Sequence, residues 1–423
     1  LQQEKMSLRN FKMKKHILAV FVSSSVLVLT ACGGGDGGST SVGVDDGIPK
    51  NNIVNPVVTT PTAYTATDMS ATAGESVVMT YKMLGQDNKE TRATALLFTP
   101  KTVAPAKGWP IVVWAHGTTG VADACAPSRI PLNTYVKGMI DGFLASGYVV
   151  VAPDYEGLGE PTADQLHPFL NVKSEAFSIT DAVVATRNYL GAKASNQWMT
   201  VGHSQGGHAA LGAAQYQSRA QLDYKGTVAV APASNLSFIL TAGEMKAAAQ
   251  PDVNDKIETL ASLDTFTALI TAGLRNQNPN LQYFQVFKTP TNQIAENAES
   301  DCYTVLGNKF GLAMGQYAFL NNNSINGYPR TQPDFMTSIP IVKDFLANGS
   351  QPLKTKISTP IIIYQGAADA TVPIQATDLL LSTEAAKNSS ISYRTEATWD
   401  HGSAYALNIP NILTDVKTLM PIQ

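Results

Sequence analysis

Short apolar runs alternate with stretches of helical spacing along most of the chain. Ser76–Leu84 and Thr91–Phe98 read as strands on either side of the turn-rich Gly85-Gln86-Asp87-Asn88-Lys89, which predicts a hairpin. Ile111–Ala115, Tyr148–Ala152, Trp198–Val201, Thr227–Ala231 and Pro360–Tyr364 are continuous apolar runs of strand length, and Ile391–Glu396 is strand-like. Between them Tyr135–Ser146 has helical spacing, Ser174–Leu190 carries Ile179, Val183 and Leu190 on one face, and His208–Ala214 reads as a tightly packed helix. Strands alternating with helices predict an α/β fold, a mostly parallel sheet flanked by helices.

The alternation breaks once. From about 236 to 350 the chain reads as helices, Lys256–Leu274 among them, and as loops rich in Asn, Gln, Pro and aromatics; the sheet pattern then resumes at Pro360. Irregular loops of that length are uncommon in compact domains. The expectation is therefore a mainly helical cap inserted between two strands of one sheet. Tyr283, Phe284 and Phe287, with Tyr317, Phe319 and Leu320, are candidates either for the wall of an apolar tunnel or for the cap's own core.

The N-terminus carries an export signature. Met13-Lys14-Lys15 is followed by the apolar run Ile17–Leu29 and by Leu29-Thr30-Ala31-Cys32. That last tetrapeptide resembles a bacterial lipobox, which implies cleavage before Cys32, a lipid on that cysteine and a place in the bacterial cell envelope. An ordinary secretory peptide with a coincidental cysteine is the alternative, leading to extracellular release. Gly33-Gly34-Gly35-Asp36-Gly37-Gly38-Ser39 and the polar residues after it read as a flexible tether. A glycine directly after Cys32 resembles lipoproteins passed on to the outer membrane. The expected organisation is 1–31 signal peptide and upstream residues, 32–66 tether, 67–235 first part of the core, 236–350 cap and 351–423 second part of the core.

Composition narrows the function. With 30 Lys and Arg against 33 Asp and Glu, and no basic run, the chain carries no electrostatic footprint for nucleic acid. No apolar stretch after residue 31 is long enough to cross a bilayer. Beyond Cys32 only Cys125 and Cys302 remain, one candidate disulfide in an oxidising compartment or two buried thiols.

Candidate chemistry centres on Gly202-His203-Ser204-Gln205-Gly206, a G-x-S-x-G stretch between a strand and a small-residue helix. In that setting the serine occupies a nucleophile elbow: the glycines remove side chains that would collide at the sharp turn, and the hydroxyl is exposed above the sheet. In α/β-hydrolases an acid and then a histidine follow the serine. Downstream of Ser204 lie only His208 and His401. His208 sits four residues along the helix that opens at the elbow, which leaves His401. Asp369, after the preceding strand, is the matching acid, with Asp400, Asp378 and Glu396 as weaker rivals. His401 would act as general base and acid, and Asp369 would fix its tautomer. The oxyanion would take the backbone N–H of Gln205 and one from the loop after Ile111–Ala115, with Thr118 favoured over Gly117 or Thr119. His116, His203 and Asp154 invite a metal reading, but they lack the spacing of a ligand pair, so no metal and no cofactor is expected.

His116-Gly117-Thr118, Pro153-Asp154-Tyr155-Glu156-Gly157-Leu158-Gly159, His167-Pro168-Phe169-Leu170, Gly202-His203-Ser204-Gln205-Gly206-Gly207 and Asp369 with Val372-Pro373 together resemble the secretory lipase family of α/β-hydrolases. The resemblance spans roughly residues 70 to 420. It implies an α/β-hydrolase fold with a helical cap over the site, a Ser204, Asp369 and His401 triad, and hydrolysis of small-molecule or lipid acyl esters. A serine peptidase or acyltransferase uses the same triad on this fold, although the blade repeats that accompany some such peptidases are not visible. A surface lipoprotein that kept the fold without its chemistry is the third class.

Overall fold

The computed structural model describes residues 46–159 and 165–423. Among them nine strands build one sheet: β1 (Thr62–Ala63), β2 (Ala73–Leu84), β3 (Glu90–Pro100), β4 (Trp109–Ala115), β5 (Val149–Pro153), β6 (Ala194–His203), β7 (Asp223–Val230), β8 (Ile361–Gly366) and β9 (Ile391–Glu396). Their spatial order is β1-β2-β3-β5-β4-β6-β7-β8-β9. The β1–β2, β2–β3 and β3–β5 pairs are antiparallel, and every pair from β5 to β9 is parallel. The apolar runs are continuous because the central strands are covered on both faces. On one face Ile111 and Val113 pack with Phe177, Ile179 and Leu211; on the other Val112 and Trp114 pack with Met139, Phe143 and Ile412.

Those covering residues come from α1 (Thr134–Ala145), α2 (Val172–Leu190), α3 (Gln205–Tyr216) and the helix Ile409–Leu419. Local sequence starts two of them. Asn133 and Asn171 accept the backbone N–H of Val136 and Ser174, satisfying donors that a helix N-terminus otherwise leaves unpaired.

Between β7 and β8 the chain is helical, beginning with α4 (Leu236–Ala249) and α5 (Val253–Arg275) and including the helix Tyr303–Leu320. Leu260, Leu263, Phe287, Phe310 and Met314 give this segment an apolar core, which continues into Phe169, Leu170 and Val372 outside it. It is fastened to the loop after β4 by a Cys125–Cys302 disulfide that spans 177 residues of sequence. In the chain-entropy picture closing so long a loop removes about 5 kcal/mol of unfolded-state freedom. Next to the disulfide, Tyr303 donates its backbone N–H to the Thr119 carbonyl at 2.8 Å.

The expectation of a free tether over 32–66 needs correction for its second half. Thr62–Ala63 pairs with β2, and Val57 bridges Tyr81. Asn51 donates to Asp181 at 2.7 Å, and Arg219 donates to the Pro49 carbonyl at 2.7 Å. Asp181 and Arg219 are buried and paired at 2.8 Å. Tyr64 is buried in the core, Val57 packs against core residues, and polar groups of the core hold the rest, a means of attachment that hydropathy does not register. The signal peptide over 1–31 and the lipid site Cys32 lie outside the described residues.

Candidate active site

β6 ends at His203 and α3 starts at Gln205, so one residue makes the whole connection. That residue, Ser204, has φ 60° and ψ −120°, a conformation that costs a non-glycine residue about 1–3 kcal/mol. Close packing enforces it. A Cβ on Gly202 would be driven into the Gly206 carbonyl, and one on Gly206 into the Ala115 carbonyl of β4. The Ser204 N–H donates to Val230 at 2.9 Å and its carbonyl accepts from His208 N at 3.0 Å, which holds the turn between β7 and α3.

Asp369 lies in the loop after β8, its carboxylate buried. Oδ1 accepts the backbone N–H groups of Thr371 and Val372, each at 2.8 Å. Oδ2 accepts from Gln365 Nε2 at 3.3 Å and faces His401 Nδ1 at 2.8 Å. The loops carrying the two residues are joined where Ala368 donates its N–H to the Trp399 carbonyl at 3.0 Å. The rival acids are engaged elsewhere: Asp400 accepts from Ser403 N at 2.7 Å, Asp378 from the Tyr393 hydroxyl at 3.0 Å, and Glu396 from Ala397 N at 2.9 Å.

The other histidines are wall and scaffold. His203 Nε2 donates to the His401 carbonyl at 2.8 Å, and its ring stacks on Tyr405 with centroids 5.2 Å apart. Burial and the neighbouring His401 push His203 down to about 3, so it stays neutral. His116 faces the carbonyls of Gly117 and Asp154 at 2.7 and 3.1 Å, and Tyr155 is stacked between it and His167. His208 faces Glu175 and the Ser350 carbonyl, turned away from Ser204. Among the described residues no group of three His, Cys, Asp or Glu side chains is arranged to hold a metal ion.

Two spaces meet at Ser204. The wider, about 760 Å³, is lined by Trp114, Tyr303, Tyr405 and His401 as well as Ser204. The narrower, about 40 Å³, is walled by Phe169, Leu170, Leu236, Leu240, Phe266 and Ile270. Gln205 and Thr118 also border it, and Thr118 alone of Gly117, Thr118 and Thr119 borders both spaces. The aromatics singled out for a tunnel stand elsewhere. Phe287 stacks with Phe310 at 6.1 Å, Tyr283 lies beneath the Arg275 guanidinium, and Tyr317 packs edge-on against Tyr328. Phe284, Phe319 and Leu320 are 59, 86 and 79 % exposed. The apolar wall comes instead from α4 and α5, where helical spacing would have pointed to it: Phe266 and Ile270 are four residues apart, as are Leu236 and Leu240.

A family model described as Secretory lipase matches residues 132–418. The chain belongs to the secretory lipase family. The matched span holds Ser204, Asp369 and His401, whereas Thr118 and strands β1 to β4 precede it. Membership of a lipase family supports carboxylic ester hydrolysis as the activity class of this chain, and the family description suggests export. Among solved structures the chain is similar to Candida antarctica lipase A in its closed state, at 17% identity and a TM-score of 0.64, covering 86% of this chain and 82% of that one. It is similar as well to the rice cell wall degrading esterase LipA from Xanthomonas oryzae, at 22% identity and a TM-score of 0.59, covering 81% and 90%. Likeness at these identities concerns the fold, and both are lipase or esterase α/β-hydrolases. A comparison with curated proteins gives no match. No described helix of the chain is long and apolar enough to cross a membrane.

One pH effect follows from the wall histidines. Burial pushes His167, fully enclosed beside the elbow, down to about 4. An unfolded histidine titrates near 6.5, so below that pH the unfolded chain takes up a proton that the native chain refuses until about 4. The stability that neutral His167 contributes is thus full above 6.5 and is lost as pH falls toward 4. Urea unfolding of wild type and His167→Asn at several pH values is expected to show the wild type's margin changing against it by up to about 1.4 kcal/mol per unit across this window. A margin that stays flat from pH 7 to 4.5 would contradict a neutral His167.

Proposed function

We propose that this member of the secretory lipase family is a serine carboxylic ester hydrolase in which Ser204, His401 and Asp369 act as a triad through an acyl-enzyme. The observation that carries the reading is a serine on a strained strand-to-helix turn, lining one cavity with a histidine whose Nδ1 is held by a buried aspartate. Ser204 Oγ attacks the ester carbonyl and passes its proton to His401 Nε2. Asp369, pinned by two backbone N–H groups, can only accept from His401 Nδ1, which leaves Nε2 free to act as the base. Negative charge developing on the carbonyl oxygen is met by the Gln205 N–H at the start of α3 and by the Thr118 N–H from the loop after β4. His401 then protonates the departing alcohol. A water activated by the same nitrogen hydrolyses the acyl-enzyme.

The narrow apolar pocket takes the acyl chain and the wider cavity takes the alcohol. Apolar walls reward each added methylene by up to about 0.8 kcal/mol, whereas a peptide would find few polar partners in the pocket.

Ser204→Ala is expected to remove ester turnover by several orders of magnitude with an unchanged melting curve, and Asp369→Asn to lose roughly 10⁴-fold in kcat, as in the protease precedent. Loss in Asp400→Asn with an unaffected Asp369→Asn would show that the acid is misassigned. Across a series of p-nitrophenyl esters, kcat/KM is expected to rise severalfold per two added carbons until the pocket is full. Equal turnover of acetyl and longer esters, or faster cleavage of peptide p-nitroanilides, would contradict the substrate class.

A further inference from the structure

Glu175, in the first turn of α2, is a fully buried carboxylate that no step above uses. Its Oε1 accepts Gln205 Nε2 at 2.8 Å and the Leu170 backbone N–H at 3.2 Å. Its Oε2 faces His208 Nδ1 at 2.6 Å. The other nitrogen of His208 faces the Ser350 carbonyl at 2.9 Å, and a carbonyl only accepts, so Nε2 carries a proton. A second proton lies between Nδ1 and Oε2, which makes the pair either imidazolium and carboxylate or imidazole and carboxylic acid. The Gln205 amide also reaches His167 Nε2 at 2.8 Å, and His167 Nδ1 donates to the Glu156 carbonyl at 2.9 Å.

One carboxylate therefore gathers four places that bear on catalysis. Leu170 is a wall of the apolar pocket. Gln205 is the first residue of α3, and His208 lies one turn further along it. Through His208 the network reaches Ser350, where the chain returns from the helical segment toward β8. Burying this polar side chain is unfavourable in either protonation state, and an apolar residue would fill the volume without that penalty. What the apolar residue could not do is hold the Gln205 side chain from one side while His167 holds it from the other.

We propose that Glu175 is a positioning residue for ester hydrolysis: by anchoring Gln205 it aims that residue's backbone N–H at the developing oxyanion, and it ties this geometry to the pocket wall at Leu170. The proposal rests on the reading of Ser204 as nucleophile and Gln205 as oxyanion donor. A glutamine at this position can reproduce all three contacts, its oxygen accepting from Gln205 and Leu170 and its amide donating to a neutral His208. An alanine reproduces none.

The test measures kcat and KM on a p-nitrophenyl ester, with urea melts, for Glu175→Ala, Glu175→Gln, Gln205→Met and Ser204→Ala. Glu175→Ala is expected to lower kcat by about 10- to 100-fold, less than deleting an oxyanion donor outright, with KM within about threefold. Glu175→Gln is expected to recover most of that loss. Gln205→Met keeps the backbone N–H while losing both side-chain anchors, so it should reproduce the kcat defect, and it decides the matter if Glu175→Ala does not fold. Wild-type kcat in Gln205→Met, or in a folded Glu175→Ala whose melting midpoint alone has dropped, would overturn the proposal. If Ser204→Ala keeps more than a tenth of the activity, the nucleophile reading falls and Glu175 with it. If Ser204→Ala is inactive while the other variants keep full kcat, only the Glu175 proposal falls.

Discussion

The fit of α3 against β4 and β6 is the constraint on which the site depends. Gly202 and Gly206 let the elbow close to backbone contact with Ala115, and only then can a single residue turn the chain from strand to helix. The register carries this outward: Ala115 pairs with Gly202, and His203 with Val230, so the carboxyl ends of β4, β6 and β7 finish level. Parallel neighbours β8 and β9 bring their own carboxyl-end loops, with Asp369 and His401, to the same edge. Ligands of open α/β sheets bind at such edges. The strain in Ser204 persists because hydrogen bonds to Val230 and His208 over-determine it.

Charge is managed around the elbow by keeping most buried imidazoles in fixed hydrogen-bonded states. His167 and His203 are held neutral by burial, and each spends a nitrogen on a backbone carbonyl. Asp369 receives two backbone N–H groups besides His401, so its orientation does not depend on the histidine it steadies. In the mechanism proposed above, such preorganisation would let the surroundings stabilise developing charge without reorganising during reaction. The disulfide at Cys125 and the bond from Tyr303 to Thr119 extend the same rigidity to the loop that carries Thr118.

What could be read in the sequence was local. A serine between an apolar run and a small-residue helix, and a strand followed by Asp369, are statements about neighbours along the chain, and the strand order then brings these neighbourhoods together. Helical spacing marks Leu236 with Leu240 and Phe266 with Ile270 as apolar faces, but that these faces and Phe169 enclose one pocket is a fact of packing, and the conspicuous aromatics Phe284 and Phe319 face solvent. Residues 47–66 looked like linker because their apolar anchors, Val57 and Tyr64, are scattered and because Asn51 and Pro49 attach through polar bonds to Asp181 and Arg219. Glu175 escaped notice for a similar reason: an acidic residue in the first turn of a helix ordinarily answers the helix dipole at the surface. Its burial is a tertiary fact.

The most direct measurement of the central claim is the site of covalent labelling by an active-site-directed fluorophosphonate, mapped by peptide mass spectrometry alongside residual ester turnover. The account predicts one adduct per chain, on Ser204, formed in step with loss of turnover and suppressed by a competing ester. An adduct on a different residue, or complete labelling of Ser204 with turnover intact, would contradict it.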